Sequence, residues 1–439
     1  MSDTIDKVIS AYFKKKNVLV DHQIGSYNDF IDNTLPKILS QSFPIRLNFN
    51  SDDSPVKSVM MNLTNIKVGI PVCTENNGAS TIMTPSIARN RNYTYSSSIN
   101  VDIVVEITTD EDGITVVNKQ KIIKDVLLGK IPIVVGSKYC VTRSNPYDEC
   151  KYDPGGYVII NGNEKVIIAQ EKIAPNIIQV FQNPKQNTKY GYVCEIRSCP
   201  DDVYCHPKTL SLKITSKGDM FQNIIRVSVP HLRTEIPLFI LFRALGCNGD
   251  KDILYHIIDN DNSQIDNNLF KILRSSIIDS QEIKTQVDAL KYMVKFINNT
   301  NYTNYQNADI DVKIKYIRNV LHNDVLPHLG NENSSNVKKC YFLGLMTNKL
   351  LKCYMGLSDT DDRDSYINKR IESCGHLIAN LTYQCMNRIT RDIKMYINKE
   401  VSSGSWNLTK DYNDIINEIN ICKIIKSSYL ETVLKGAMA

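Results

Sequence analysis

At 439 residues the chain exceeds the roughly 250–300 at which a single hydrophobic core stops growing, so two domains are expected. Hydrophobic content of 42% and charged content of 23% are ordinary for a soluble globular protein, and no stretch approaches the ~20 apolar residues that would span a bilayer. The net charge of +5 permits nucleic-acid contact without demanding it, because a groove can be basic while the remaining surface is balanced.

The chain opens with Ile5, Val8, Ile9, Tyr12 and Phe13, a helical spacing that lacks the continuous apolar core of a signal peptide. An intracellular protein is expected. Lys14-Lys15-Lys16 is the sole cationic run and reads as a solvated helix end. A second amphipathic helix, reaching about residue 40, puts Ile24, Tyr27, Phe30, Ile31 and Leu35 on one face. From about 45 to 182 the period becomes strand-like. Arg89, Arg91 and Tyr95 resemble a basic-aromatic stripe for single strands, but the alternation into Ile99, Val101 and Ile103 favours a strand with the arginines pairing near its start. Asn100–Thr108 and Gly113–Val126 are β-branched runs around the turn Asp110-Glu111-Asp112-Gly113.

Asp153 to Glu171, DPGGYVIINGNEKVIIAQE, carries the most information. Asp153-Pro154-Gly155-Gly156 is turn chemistry, Tyr157–Ile160 a β-rich run, and Asn161-Gly162 the two-residue signal of a type I′ hairpin whose return strand continues through Val166–Ala169. Packing alone does not ask for Glu164-Lys165 beside the turn or for Gln170-Glu171 at the far end.

Asn183–Asn187 breaks the pattern and sets a domain boundary. Strands follow near 190–197, 209–215 and 223–229. Helices then read as Pro237–Leu245, Lys251–Ile258, Leu269–Ile278, Ser280–Ile297 with Ser280 as N-cap, Ile310–Leu321 and Val337–Met355. Asn298–Asn304 is a loop. After Gly356–Asp364 a helical region runs to the end, with Trp406 as a packing anchor in a Ser/Gly loop.

No phosphate-binding glycine loop occurs, and no His, Cys or Ser has a defensible partner arrangement. The 12 cysteines are scattered without a C-x-x-C pair and read as reduced structural thiols. Cys194, Cys199, Cys205 and His206 lack zinc-site spacing. Asp359, Asp361, Asp362 and Asp364 open like a calcium loop, but Arg363 occupies a ligand position and Asp364 stands where glycine belongs. These acids read instead as the start of a helix continuing through Lys369-Arg370.

The hairpin segment resembles the GGY-IINGxEK-IAQE signature of the second-largest subunit of multisubunit DNA-directed RNA polymerases, in the eukaryotic, archaeal and large-DNA-virus form. Further matches lie in the same order at Leu19–Ile31, Ala88–Ser97, Ile131–Ile133 with Ser137-Lys138, Ile236–Gly246, Tyr341–Leu351 and Asp361–Arg370. The resemblance implies an α+β fold in which a mixed protrusion domain (1–182 and 369–439) is interrupted by an inserted lobe (183–368) with a small β part and several helices.

It implies a part in DNA-templated RNA synthesis as one side of the DNA cleft. The partners would be the largest subunit, other polymerase subunits, the remaining C-terminal part of the second subunit, template DNA, the RNA–DNA hybrid and initiation factors. No catalytic residue falls in the segment. Mg2+ and structural Zn2+ are expected only in the complete enzyme, the chain stopping just before the family's fork region. By the same resemblance Lys165 and Lys435 match lysines that approach the nucleic-acid backbone. From the residues alone both read as solvated surface lysines. A stand-alone nucleic-acid-binding or regulatory protein, or a structural assembly module, derived from such a subunit remains open beside the main reading. So does the compartment: virion or host cytoplasm for a viral protein, nucleus for a cellular eukaryotic one.

Overall fold

The computed structural model describes residues 2–14, 17–49, 56–75, 77–111, 114–117, 120–143, 149–150, 152–183, 189–215, 223–258, 263–297, 309–332, 334–403 and 416–438. Lys15, Lys16, part of the Asp110–Gly113 turn, Asn298–Asn304 and Trp406 lie outside them. Helices and strands are both present in quantity and the sheets are small, an α+β fold. The chain divides into two compact units, one of Met1–Gln170 with Ile371–Ala439 and one of Glu171–Arg370.

In the first unit the strand Ser96–Glu111 lies inside an antiparallel five-stranded sheet. Val56–Val68 and then Ile45–Asn48 flank it on one side, and Lys121–Pro132 and Ile114–Val117 also pair with it. Ile99, Val101, Ile103, Val105 and Ile107 are all buried, because alternate residues of a strand share a face. Helix Asp21–Asp29 passes through a π-helical turn, Phe30–Thr34, into helix Leu35–Ser42. Tyr27, Phe30, Ile31 and Leu35 are buried as the spacing predicts, and the Tyr27 hydroxyl donates to the Pro132 carbonyl at 2.7 Å. Helix Ser2–Phe13 instead leaves Ile5, Val8, Ile9, Tyr12 and Phe13 exposed.

The chain returns to this unit as the long helix Cys374–Ser402, which packs on Asp21–Asp29, and ends in Ser427–Met438 against Lys121–Pro132. Gly375 makes the return fit: a Cβ there would stand 2.0 Å from the Ser26 carbonyl oxygen. The Ser26 hydroxyl accepts from the Gly375 amide, and the Gln23 side chain from the Cys374 amide, both at 3.1 Å. Two first-turn amides of the helix thus find acceptors on its neighbour.

In the second unit an antiparallel sheet runs Gln179–Gln182, Tyr190–Ser198, Lys208–Thr215, Ile225–Ser228, Ile236–Pro237. Helices Leu238–Leu245 and Ser335–Tyr354 cover it, with Leu212, Ile214, Phe239 and Leu343 in one core. Gln179–Gln182, read from sequence with the first domain, is an edge strand of this sheet. Two cations are sealed inside. Arg243 donates to the carbonyls of Ser280 and Ile283 and pairs with Asp250 at 2.6 Å. Lys339 donates to the carbonyls of Leu321 and His322 at 3.0 and 2.7 Å, closing the end of helix Ile310–Asn323.

Two sequence expectations change. Ser280 is not an N-cap: it is buried just beyond helix Ser263–Asp279, and Thr285 caps the next helix, Gln286–Val294, by accepting from the Asp288 amide. The acidic run does not start a helix either. Lys369–Glu372 is a short strand, and Asp361 is used elsewhere, accepting from Lys349 at 2.7 Å and from the Val180 amide at 2.8 Å.

Gly375→Ala should destabilise the first unit by about 1–3 kcal/mol, the usual cost of overpacking. Gly25→Ala, where nothing lies within 4 Å, should be neutral or stabilising by about 0.5–1 kcal/mol. Chemical denaturation of the two variants checks the contrast, and equal effects would refute the close approach. Burial lowers the Lys339 ammonium to about 8, Asp324 opposing. An unfolded lysine keeps its proton to roughly 10.4, so between these values the unfolded chain binds more protons and the Lys339 contribution to stability rises with pH. Lys339→Met should flatten that rise, measured as denaturation midpoints between pH 7.5 and 9.5.

Candidate nucleic-acid interface

The hairpin forms where the sequence places it. Asn161 and Gly162 have φ of 49° and 81°, the two positive values a type I′ turn requires. Val158, Ile159 and Ile160 are buried, and they pair with Lys165, Glu164 and Asn163. The ladder ends there. Val166–Ala169 adds no further pair, and Val166 and Ile168 are exposed, so the predicted return strand is only three residues long.

What holds the turn is the segment Ala88–Ser97. The Tyr95 amide donates to the Ile159 carbonyl and the Gly162 amide to the Tyr93 carbonyl, both at 3.0 Å. The Asn161 amide donates to the Thr94 hydroxyl at 3.2 Å. A Cβ on Gly162 would lie 2.6 Å from the Asn92 side chain, so glycine answers both the turn and the close packing.

Arg89 ties the hairpin from below. Its Nε donates to Glu164 at 2.6 Å, Nη1 to Glu149 at 3.0 Å and Nη2 to the Tyr157 hydroxyl at 2.7 Å. Tyr157 in turn donates to Asp153 at 2.5 Å. Burial and then the Asp153 acceptor hold the Tyr157 phenol above its ordinary range. The planar fork of arginine allows this triple engagement where a lysine would not. Arg91 pairs with Glu75 at 3.1 Å. The arginines therefore pair structurally as expected, but from helix Pro85–Asn90 and its end rather than from the strand, which begins at Ser96. Tyr95 is fully buried and offers no stacking face.

The charge pattern at the tip follows. Glu164 is engaged by Arg89, whereas Lys165 is exposed and has no ion-pair partner among the described residues. A cation thus projects from a fixed frame, next to an anion already neutralised. Lys435 differs: it lies in helix Ser427–Met438 and pairs with Glu431, one turn earlier, at 2.6 Å. Among the described residues no hydrogen bond or ion pair joins the two lysines. The Arg89–Glu164 tie was not foreseen, since 75 positions separate the partners. Its only trace in the sequence is that both belong to recognisable segments.

The other clusters resolve into structure. Cys194 is buried in the sheet of the second unit, apart from Cys199 and Cys205 in the loop beyond it. Among the described residues no group of three or more His, Cys, Asp or Glu side chains is placed to hold a metal ion. In the acidic run Asp362 accepts from the Asp364 amide, and Arg363 stacks on Phe181 at 4.4 Å. No helix among the described residues is long and apolar enough to cross a membrane.

Replacing Arg89 by Met should loosen the hairpin without unfolding the unit. Loss of a charged hydrogen bond, about 1.5–3 kcal/mol, predicts roughly tenfold or faster amide exchange at Gly162. Unchanged exchange there would deny Arg89 its role.

A family model described as RNA polymerase beta subunit matches residues 18–428. The chain is 35% identical over 450 residues to DNA-directed RNA polymerase II subunit 2 of Arabidopsis thaliana, an alignment covering 98% of this chain and 36% of the relative. It is 30% identical over 418 residues to DNA-directed RNA polymerase subunit Rpo2N of Methanocaldococcus jannaschii, covering 90% and 74%. With DNA-directed RNA polymerase subunit 2 of Acanthamoeba polyphaga mimivirus the identity is 31% over 408 residues, covering 88% and 33%. The chain thus spans about a third of the plant and viral relatives. The matched region takes in the hairpin, the Ala88–Ser97 support beneath it and the whole of the second unit, and the chain belongs to the RNA polymerase beta subunit family.

Proposed function

We propose that this chain acts as the N-terminal portion of the second-largest subunit of a DNA-directed RNA polymerase, lining one side of the DNA cleft in a multi-subunit enzyme. On this reading the unit of residues 1–170 and 371–439 is the protrusion and residues 171–370 the lobe. The partners are the largest subunit, the rest of the second subunit, template DNA, the RNA–DNA hybrid and initiation factors. Nucleotidyl transfer, with its Mg2+ ions, belongs to other parts of the enzyme, and this portion alone is inactive.

The observation that carries the reading is the exposed Lys165, beside a turn fixed by Arg89 and by the Tyr93 and Thr94 contacts. An ammonium on a rigid hairpin can neutralise a phosphate with little ordering of its own backbone. It cannot read bases, so it positions the nucleic acid and its contribution weakens as salt rises. Lys435, already paired with Glu431, would have to release that partner or share it, and is the weaker contact of the two.

In the assembled enzyme Lys165→Ala should weaken nucleic-acid retention and lower the slope of log affinity against log salt by about 0.7–0.9, the share of one phosphate contact. Lys435→Ala should change the slope less. Transcript release measured across a salt series tests both, and an unaltered slope in the Lys165 variant would remove that residue from the interface.

A further inference from the structure

We infer that Cys199 and Cys205 form a redox-active dithiol, a modification site that a hydroperoxide converts to a disulfide across one hairpin loop of the second unit. The last ladder pair between Tyr190–Ser198 and Lys208–Thr215 is Ser198 with Lys208, so both cysteines lie in the loop joining these strands.

The loop fixes Cys199 close to Cys205. Asn176 clamps the Cys199 backbone, its side-chain amide donating to the Cys199 carbonyl and accepting from the Cys199 amide, each at 2.9 Å. Cys199 Sγ donates to the carbonyl oxygens of Pro200 and Cys205, at 3.6 and 3.7 Å, within this loop. Both are free and half-buried, reachable by a small oxidant, whereas Cys194, Cys340, Cys353, Cys374 and Cys385 are buried.

Their chemistry is also divided. The hydrogen bond from Cys205 and the charge of Lys172 bring the Cys199 thiol down to about 7, against its burial and Asp201. Cys205 is held up by its bond to Cys199 and by burial, against the charge of Lys208. Burial raises Cys194, Cys247, Cys340, Cys374 and Cys385 as well. Since the thiolate is the nucleophile, Cys199 attacks and Cys205 resolves.

The Cys199 thiolate attacks one peroxide oxygen, the O–O bond breaks, and the departing oxyanion takes up a proton. This leaves a sulfenic acid on Cys199. The Cys205 sulfur then attacks the sulfenic sulfur, the S–O bond breaks, and the hydroxyl leaves as water with the Cys205 proton. Each thiol sulfur has lost one electron and the peroxide has gained two. A thiol reductant reverses the change by disulfide exchange.

The test uses the full chain, treated with hydrogen peroxide, alkylated and digested with trypsin. Residues 198–208 form one tryptic peptide containing both cysteines. The expected product is this peptide unalkylated and two hydrogens lighter, appearing before oxidation of the exposed Cys150 and Cys422 and reverting with dithiothreitol. In Cys205→Ser, dimedone should instead trap a sulfenic acid on Cys199. The proposal is overturned if both thiols stay alkylated while Cys150 and Cys422 oxidise, or if the urea-unfolded chain forms the disulfide just as fast.

Discussion

The first unit depends on one close approach, that of helix Cys374–Ser402 to helix Asp21–Asp29 at Gly375. With the Ser26 carbonyl oxygen 2.0 Å from where a Cβ would sit, only glycine lets the returning chain reach its place. The surrounding bonds are not generic packing. The Gln23 side chain, the Ser26 hydroxyl and the amides of Cys374 and Gly375 engage one another, so the first turn of the long helix is satisfied by the helix it covers. This allows a unit to be built from two stretches of chain separated by 200 intervening residues.

The same economy of contacts governs the hairpin. A two-stranded hairpin is marginal on its own, and here it has only three ladder pairs. Its stability is lent by Arg89 and by the backbone of Ala88–Ser97. Because Arg89 engages Glu164, the neighbouring exposed Lys165 is left without an ion-pair partner among the described residues. Structural tie and exposed charge are two results of one arrangement.

The second unit solves a different problem, the burial of two cations. Arg243 and Lys339 both turn their donors to backbone carbonyls near helix ends, where partial negative charge collects. Arg243 also has a carboxylate, that of Asp250. Lys339 donates to carbonyls alone among the described residues and yields its proton more easily. Asp361 and Lys349 play a comparable part at the edge of the sheet, which is why an acidic run that looks like a failed calcium loop forms a strut.

Short-range chemistry alone determined much of this protein. The Asn-Gly turn, the alternation of Ile99 to Ile107 and the apolar face from Tyr27 to Leu35 each encode their structure within a few residues, through backbone preference and side-chain period. The long family motifs were equally plain in the sequence. The tertiary structure decided what depends on partners distant in the chain. It stopped the return strand at Lys165, because Val166–Ala169 finds no strand to pair with. It moved a helix cap from Ser280 to Thr285, since Ser280 is buried just past the end of the preceding helix. It gave Arg89 to Glu164 and Lys435 to Glu431, while Lys165 has no ion-pair partner among the described residues. Charge pairing across 75 or more positions leaves no periodic signature, and only the folded chain brings such groups within hydrogen-bonding distance.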